Sequence, residues 1–128
     1  MDTSAILEKE LQGSFDFFRD FTNLNPGSKG FGLTADSTKK PHKASIASIG
    51  FALSLWIIAV ERGYLNHDRA LEITHKTLQT LLHHASHHRG FFAHFLDMEN
   101  AKRAGKCEYS TIDTALCLHG VITAVAYY

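Results

Sequence analysis

From Ala44 to Val60 the chain reads ASIASIGFALSLWIIAV, seventeen residues without a charge. The stretch is slightly short for a membrane span and is spotted with Ser45, Ser48, Gly50 and Ser54. It therefore predicts a buried helix over Ser45–Val60, ended by Gly63. A helix that is apolar nearly all round must be covered on both sides, so its neighbours decide the fold. On its N-terminal side, Ile6, Leu7, Leu11, Phe15 and Phe18 fall at helical spacing over Thr3–Phe21, ahead of the breaker Asn23-Leu24-Asn25-Pro26-Gly27. On its C-terminal side, Asn66 is placed to cap a helix over His67–Ala85 with Leu71, Thr74, Leu78, Leu81 and Leu82 as its apolar stripe. A fourth helix starts at Ser110, where Asp113 supplies a capping-box spacing, and runs to the end of the chain. No alternating apolar run is long enough for a sheet; Phe91–Leu96 is at most a short extended piece.

The four helices alternate in character. The first and third carry charge on one face, and the second and fourth are almost wholly apolar. This predicts an all-α protein of stacked antiparallel helical hairpins, polar helices outside and apolar helices inside, with the inner pair more buried than the outer pair. The segments after the first and third helices are long, which marks them as functional. Antiparallel packing puts both on one rim, at the N-termini of the inner helices, where unpaired N–H groups and the positive dipole end lie. Asp36 and Glu108 should therefore share one end of the molecule. The final Val121–Tyr128 segment is apolar without a glycine cap or polar tail. Four helices bury two inner-type helices poorly, so the chain reads as an incomplete N-terminal segment (1–128) of a larger helical domain. The competing layout is a compact four-helix bundle.

Lys plus Arg equal Asp plus Glu at 13 each, so no net field favours nucleic acid or an anionic membrane. Hydrophobic residues at 45% and charged residues at 20% describe a globular chain rather than a disordered one. Cys107 and Cys117 make no disulfide framework; Cys117 is expected as a small buried hydrophobe and Cys107 as a loop thiol. The start, Met1-Asp2-Thr3-Ser4, has no basic segment leading into an apolar run, so no secretory signal is read and the expected location is cytoplasmic.

Two rim segments carry the candidate chemistry. Gly30-Phe31-Gly32-Leu33-Thr34-Ala35-Asp36 brings a carboxylate ahead of the second helix. Gly90-Phe91-Phe92-Ala93-His94-Phe95-Leu96-Asp97 leads on to Cys107-Glu108-Tyr109-Ser110. Aromatic faces suit sugar rings and carboxylates bond hydroxyls or move protons, although phenylalanines in loops more often anchor the core. The run His83-His84-Ala85-Ser86-His87-His88 has i, i+4 pairs that could share an ion, but no third ligand accompanies them. Surface histidines at a helix C-terminus are the expectation, with no metal and no cofactor.

The stretches Gly32–Asp36, Ser45–Phe51, Ala59–Gly63, Gly90–Asp97 and Glu108–Ala115 resemble, in order and spacing, the glycoamylase-like glycoside hydrolases. That family comprises (α/α)6-toroid enzymes, endo-β-1,2-glucanases among them. The resemblance covers only the early part of the family's catalytic domain, and implies a partial toroid and a glucan substrate. It makes Glu108 the candidate general acid, whose pKa would have to be raised. Asp36 would bind sugar hydroxyls or tune that acid, and Phe92, His94 and Asp97 are weaker substrate contacts. Asp113 is divided between substrate binding and capping, with capping favoured. A truncated toroid would lack its second carboxylate and be inactive alone, and its open inner helices would pair two copies in a homodimer. The alternative is a non-catalytic helical module binding saccharide or protein.

Overall fold

The computed structural model describes residues 2–128; Met1, part of the stretch read for a targeting signal, lies outside them. Four helices dominate: α1 (Thr3–Phe21), α2 (Ile46–Glu61), α3 (His67–His83) and α4 (Thr111–Tyr127). Their starts follow the expected capping chemistry. Asn66 accepts from the Asp68 and Arg69 amides, and Ser110 accepts from the Asp113 amide at 3.1 Å. Asp2, which the sequence reading passed over, caps α1 through the Ser4 and Ala5 amides. At α4 the return arm of the capping box differs from expectation. The Ser110 hydroxyl donates to Asp113 Oδ2 at 2.5 Å, while the Ser110 amide donates to the Phe92 carbonyl. Asp is one methylene short of reaching back as Glu does.

End-to-end contacts fix the helix directions. The Ile46 amide, at the start of α2, bonds the His94 carbonyl, and the Ser110 amide, just before α4, bonds Phe92. At the other end Tyr127 donates to Glu61 at 2.6 Å, so α2 and α4 run parallel. Glu8 meets Arg62 and Tyr64, and α3 leaves the C-terminal end of α2, so α1 and α3 run the opposite way. The parallel pair is packed backbone to backbone. A Cβ built on Gly50 would lie 2.6 Å from the Cys117 Cα, and one on Gly120 would lie 2.7 Å from the Gly50 Cα. Only glycine permits this approach.

The core has two parts. Phe15, Phe31, Ala52, Leu55, Trp56, Ala59, Ala70 and Ile73 pack where α1, α2 and α3 meet, with Phe15 set edge-on to Trp56. Leu33, Ala44, Ile46, Ile49, Leu81, Leu96 and Cys117 pack at the loop end. The long segments thus supply Phe31, Leu33, Ala44, Ala93, Leu96 and Ala101 to the hydrophobic core rather than lying over it.

Two expectations are corrected. The inner helices are not both more buried than the outer ones. α2 is well covered, but α4 buries only Thr114, Cys117, Gly120 and Ala124, and Ile112, Ile122 and Val125 are 65–70% exposed. Nothing in residues 2–128 packs on that side of α4. Phe51 and Ile58 likewise form an exposed stripe on α2. The expected extended piece at Phe91–Leu96 is present as β3 (Phe91–Phe92) and β4 (Phe95–Asp97), but the loops contain two further short strands, β1 (Lys43–Ser45) and β2 (His87–His88). β1 pairs antiparallel with β4 in the register Lys43↔Asp97, Ala44↔Leu96 and Ser45↔Phe95, and β2 pairs with β3. The second half of the histidine run is therefore strand rather than helix end. Among the described residues, no helix is long and apolar enough to cross a membrane.

Candidate functional site

The β1–β4 ladder gathers the site. Because β1 runs straight into α2, pairing it with β4 brings residues 95–97 to the N-terminus of that helix. The next residue back, His94, donates its amide to the Glu108 carbonyl at 2.9 Å, and Ala93 bridges to Tyr109. Glu108 thereby reaches the N-terminus of α4. On the far side of β1 the Asp36 amide donates to the Lys43 carbonyl at 3.1 Å. Asp36 and Glu108, 72 positions apart, accordingly sit at the same end of the molecule, as the hairpin layout requires.

His94, Glu108 and Asp113 come together there. The ring Nδ1 of His94 lies 2.5 Å from Glu108 Oε1, and its Nε2 lies 3.5 Å from Asp113 Oδ2. A neutral imidazole donates to one of these carboxylates and a protonated one to both. The ring is held flat by stacking on Phe95 at 3.8 Å between centroids. Asp113 is fixed in turn by the hydroxyl of the cap residue Ser110, which leaves it placed beside His94. Glu108 is 63% exposed, and its carboxyl lies below the ordinary glutamate range. Its own backbone N–H is the main cause and His94 the next. A general acid needs the reverse, so in the free protein Glu108 is poised as an ionised, hydrogen-bonded carboxylate.

The remaining candidates are spread more widely. Asp97 faces away into its own turn, where Oδ1 accepts from the Glu99 and Asn100 amides. Phe92 packs against the core and lines an apolar groove of about 410 Å3 with Leu78, Leu81, Leu82, Leu118 and Val121, apart from the His94 cluster. Phe31 is buried and Phe91 is 45% exposed. Among the described residues, the atoms of His94, Glu108 and Asp113 lie within 4.8 Å of one another, close enough for one cation to draw them together. The imidazole, however, offers a different nitrogen to each carboxylate, which is the geometry of a bridging ring. His83, His84, His87 and His88 form no three-ligand cluster. Cys117 is fully buried, which pushes its thiol up to about 12, while the Cys107 sulfur exchanges hydrogen bonds with the Phe95 backbone. The sequence reading missed Lys43, Lys102 and Arg103, which adjoin the site; ordinary charges in separate loops gave no signal.

Neither a protein-family model nor a curated protein sequence matches the chain. Solved structures do. Over 99% of its length the chain superposes on a candidate glucoamylase from Bacteroides uniformis, with a TM-score of 0.83 and 20% identity, covering 31% of that protein. It matches a β-1,2-glucanase from Parabacteroides distasonis over 99% of its length at TM-score 0.82 and 18% identity, covering 18% of that chain. An endo-β-1,2-glucanase from Chitinophaga pinensis, solved with sophorotriose and glucose, matches 95% of the chain at TM-score 0.79 and 18% identity, with 31% covered. The chain therefore has the fold of the glucoamylase-like and endo-β-1,2-glucanase structures across nearly all of its residues. It spans less than a third of the length of these three structures.

Proposed function

We propose that this chain is the N-terminal part of an (α/α)6-toroid glycoside hydrolase acting on a β-1,2-type glucan, with Glu108 as its general acid. One juxtaposition supports this above all. Glu108, His94 and Asp113 meet at the N-termini of two parallel apolar helices, in a fold shared with β-1,2-glucanases.

Cleaving a glycosidic bond requires a proton on the leaving oxygen and a second carboxylate to activate water or attack carbon. Glu108 is exposed enough to meet a glycosidic oxygen, and Asp113 holds His94 from behind. A saccharide laid over the rim would strip water from the Glu108 carboxyl and turn His94 toward Asp113, both of which raise its pKa. Protonation would then follow substrate binding. Asp36 accepts hydroxyl hydrogen bonds in this scheme, whereas Asp97, held by its own turn, and Phe92, in the separate apolar groove, stand apart from it. Asp113 Oδ2 is occupied by Ser110 and is not the second carboxylate. That group would belong to later helices of the toroid, so the chain alone binds saccharide without hydrolysing it. Titration with sophorotriose should move the amides of residues 93–97 and 108–113 and release no new reducing ends. No movement at millimolar sugar overturns the saccharide site; turnover overturns the incompleteness.

A second reading, an association module, draws on the bare faces of α2 and α4. Phe51 and Ile58 on α2 and Ile112, Ile122 and Val125 on α4 are 43–70% exposed, and exposed apolar side chains on neighbouring helices are the kind of surface that marks an association site. A second copy covering them across a two-fold axis is the simplest closed solution. Light scattering should report a dimer that Ile122→Glu dissociates; a wild-type monomer refutes it.

A further inference from the structure

The charges of this protein are unevenly matched. On the helices every Arg and Lys but Lys9 is paired: Arg19 with Asp16 and Asp20, Arg62 with Glu8, and Arg69 and Lys76 with Glu72, all within 3.0 Å. On the rim, Lys39, Lys40, Lys43, Lys102, Arg103 and Lys106 form no ion pair among the described residues. The β1–β4 ladder presses these two basic runs together. Lys43 is opposite Asp97, and the Asp97 amide donates to the Lys102 carbonyl at 2.8 Å. Between them lies a groove of about 470 Å3 lined by His42, Lys43, Asp97, Asn100, Lys102 and Arg103.

Three permanent cations line this groove against one carboxylate, Asp97, whose Oδ1 is already engaged by two amides, while Arg103 also lies close enough to Glu108 to help hold its carboxyl down. Arg103 is braced. Its Nε and Nη2 donate to the Cys107 carbonyl and its guanidinium lies over the Tyr109 ring at 4.8 Å, which leaves Nη1 for a ligand. The Lys43 ammonium sits 3.9 Å from the centre of the Phe95 ring, which stacks on His94, which bonds Glu108. The groove and the candidate acid are thus joined by one line of contacts. Like charges gathered in one groove without an ion-pair partner repel, and an oxyanion relieves that repulsion while accepting charge-assisted hydrogen bonds.

We propose that this groove binds an oxyanion, a phosphoryl or carboxylate group borne by the saccharide beside the bond at Glu108, so that the protein selects an acidic glycan over a neutral one. The glycan rests on the function proposed above; the oxyanion site rests on the cations. A nucleic acid fits less well, because the cations enclose one groove rather than a track and the chain has no net charge.

Amide-resolved titrations of the full chain with glucose 6-phosphate, glucuronate, glucose, sophorotriose and a single-stranded oligonucleotide test this. Glucose 6-phosphate or glucuronate should move the amides of residues 42–43 and 97–105, glucose should not, and the tighter of the two acids identifies the substituent. Lys102 is exposed and its side chain is unbonded, so Lys102→Glu should fold normally and weaken acid-sugar binding about tenfold. Lys43→Gln should weaken it less, and physiological salt should weaken it in the wild type. Acid sugars that leave these amides unmoved, a Lys102→Glu protein that binds as well as wild type, or an oligonucleotide that outcompetes both sugars overturns the proposal. Acid-sugar binding without sophorotriose binding keeps the oxyanion site and removes the glucan reading; the converse keeps the glucan and removes the site.

Discussion

Gly120→Ala places a methyl group where the backbone of another helix already lies. Its carbon would sit 2.7 Å from the Gly50 Cα and carbonyl carbon, and closer still to the oxygen. Carbon pairs rest at about 3.5–4.0 Å, so α2 and α4 must part by about 1 Å. Overpacking costs about 1–3 kcal/mol, and the upper end applies here because a backbone cannot rotate away as a side chain can. Alanine returns about 1 kcal/mol of helix propensity, leaving a net loss of about 2 kcal/mol. For a chain of this size that is a fall of about 8 °C in Tm, followed by circular dichroism at a helix wavelength. Gly13→Ala is the control, since that position in α1 has nothing within 4 Å, and it should gain about 0.5–1 kcal/mol. Adding Gly50→Ala to Gly120→Ala should cost less than the sum, because helices already parted accept the second methyl more easily. A Gly120→Ala protein as stable as the Gly13→Ala control would show that the helices do not touch at their backbones.

Ser110→Ala removes both the cap on the Asp113 amide and the donor to its carboxylate, and should cost about 1–2 kcal/mol in urea unfolding. The Glu108 carboxyl is depressed in the folded state, as are those of Asp20 and Glu72, so each adds stability above its unfolded pKa. That stability drains away as pH falls through the folded values, so unfolding should become easier below the ordinary glutamate value of 4.5. The Glu108 side-chain resonance should titrate below 4.5, and His94→Gln should raise the midpoint only part of the way, since the backbone N–H bond remains. An unmoved midpoint would remove the His94 contact. Thiol reagents should label Cys107 well before Cys117, whose burial holds its thiol near 12; equal rates would mean that α4 detaches readily.

The helices were legible because their signals are local. Asn66 and Ser110 mark their starts, and the uncharged run around Trp56 needs no partner to be recognised as buried. The α2–α4 contact was not legible. Gly50 reads as a blemish in an apolar helix until Gly120, seventy positions away, is laid against it. Of the strands, the extended piece at Phe91–Leu96 was legible, but β1 and β2 were not: two or three residues are too few to show alternation, and Lys43–Ser45 is extended only because 95–97 lies beside it. Glu108 and His94 were each picked out singly, whereas the bridging of His94 between Glu108 and Asp113 depends on the fold. The basic groove is the extreme case, assembled from two unremarkable lysine-rich loops.

The segments 22–45 and 84–110 would ordinarily count as mobile, yet they are laced together from end to end. Thr22 bonds Thr34, Asn23 reaches the Met98 carbonyl, Ser28 and Gly30 reach that of Glu99, and β1 is paired to β4 along its length. Such a rim loses little conformational entropy when a ligand arrives, because its ordering cost was met during folding. It is correspondingly unable to remould itself. A ligand of the wrong shape would find no loop ready to follow it, and discrimination would come from rejecting poor fits.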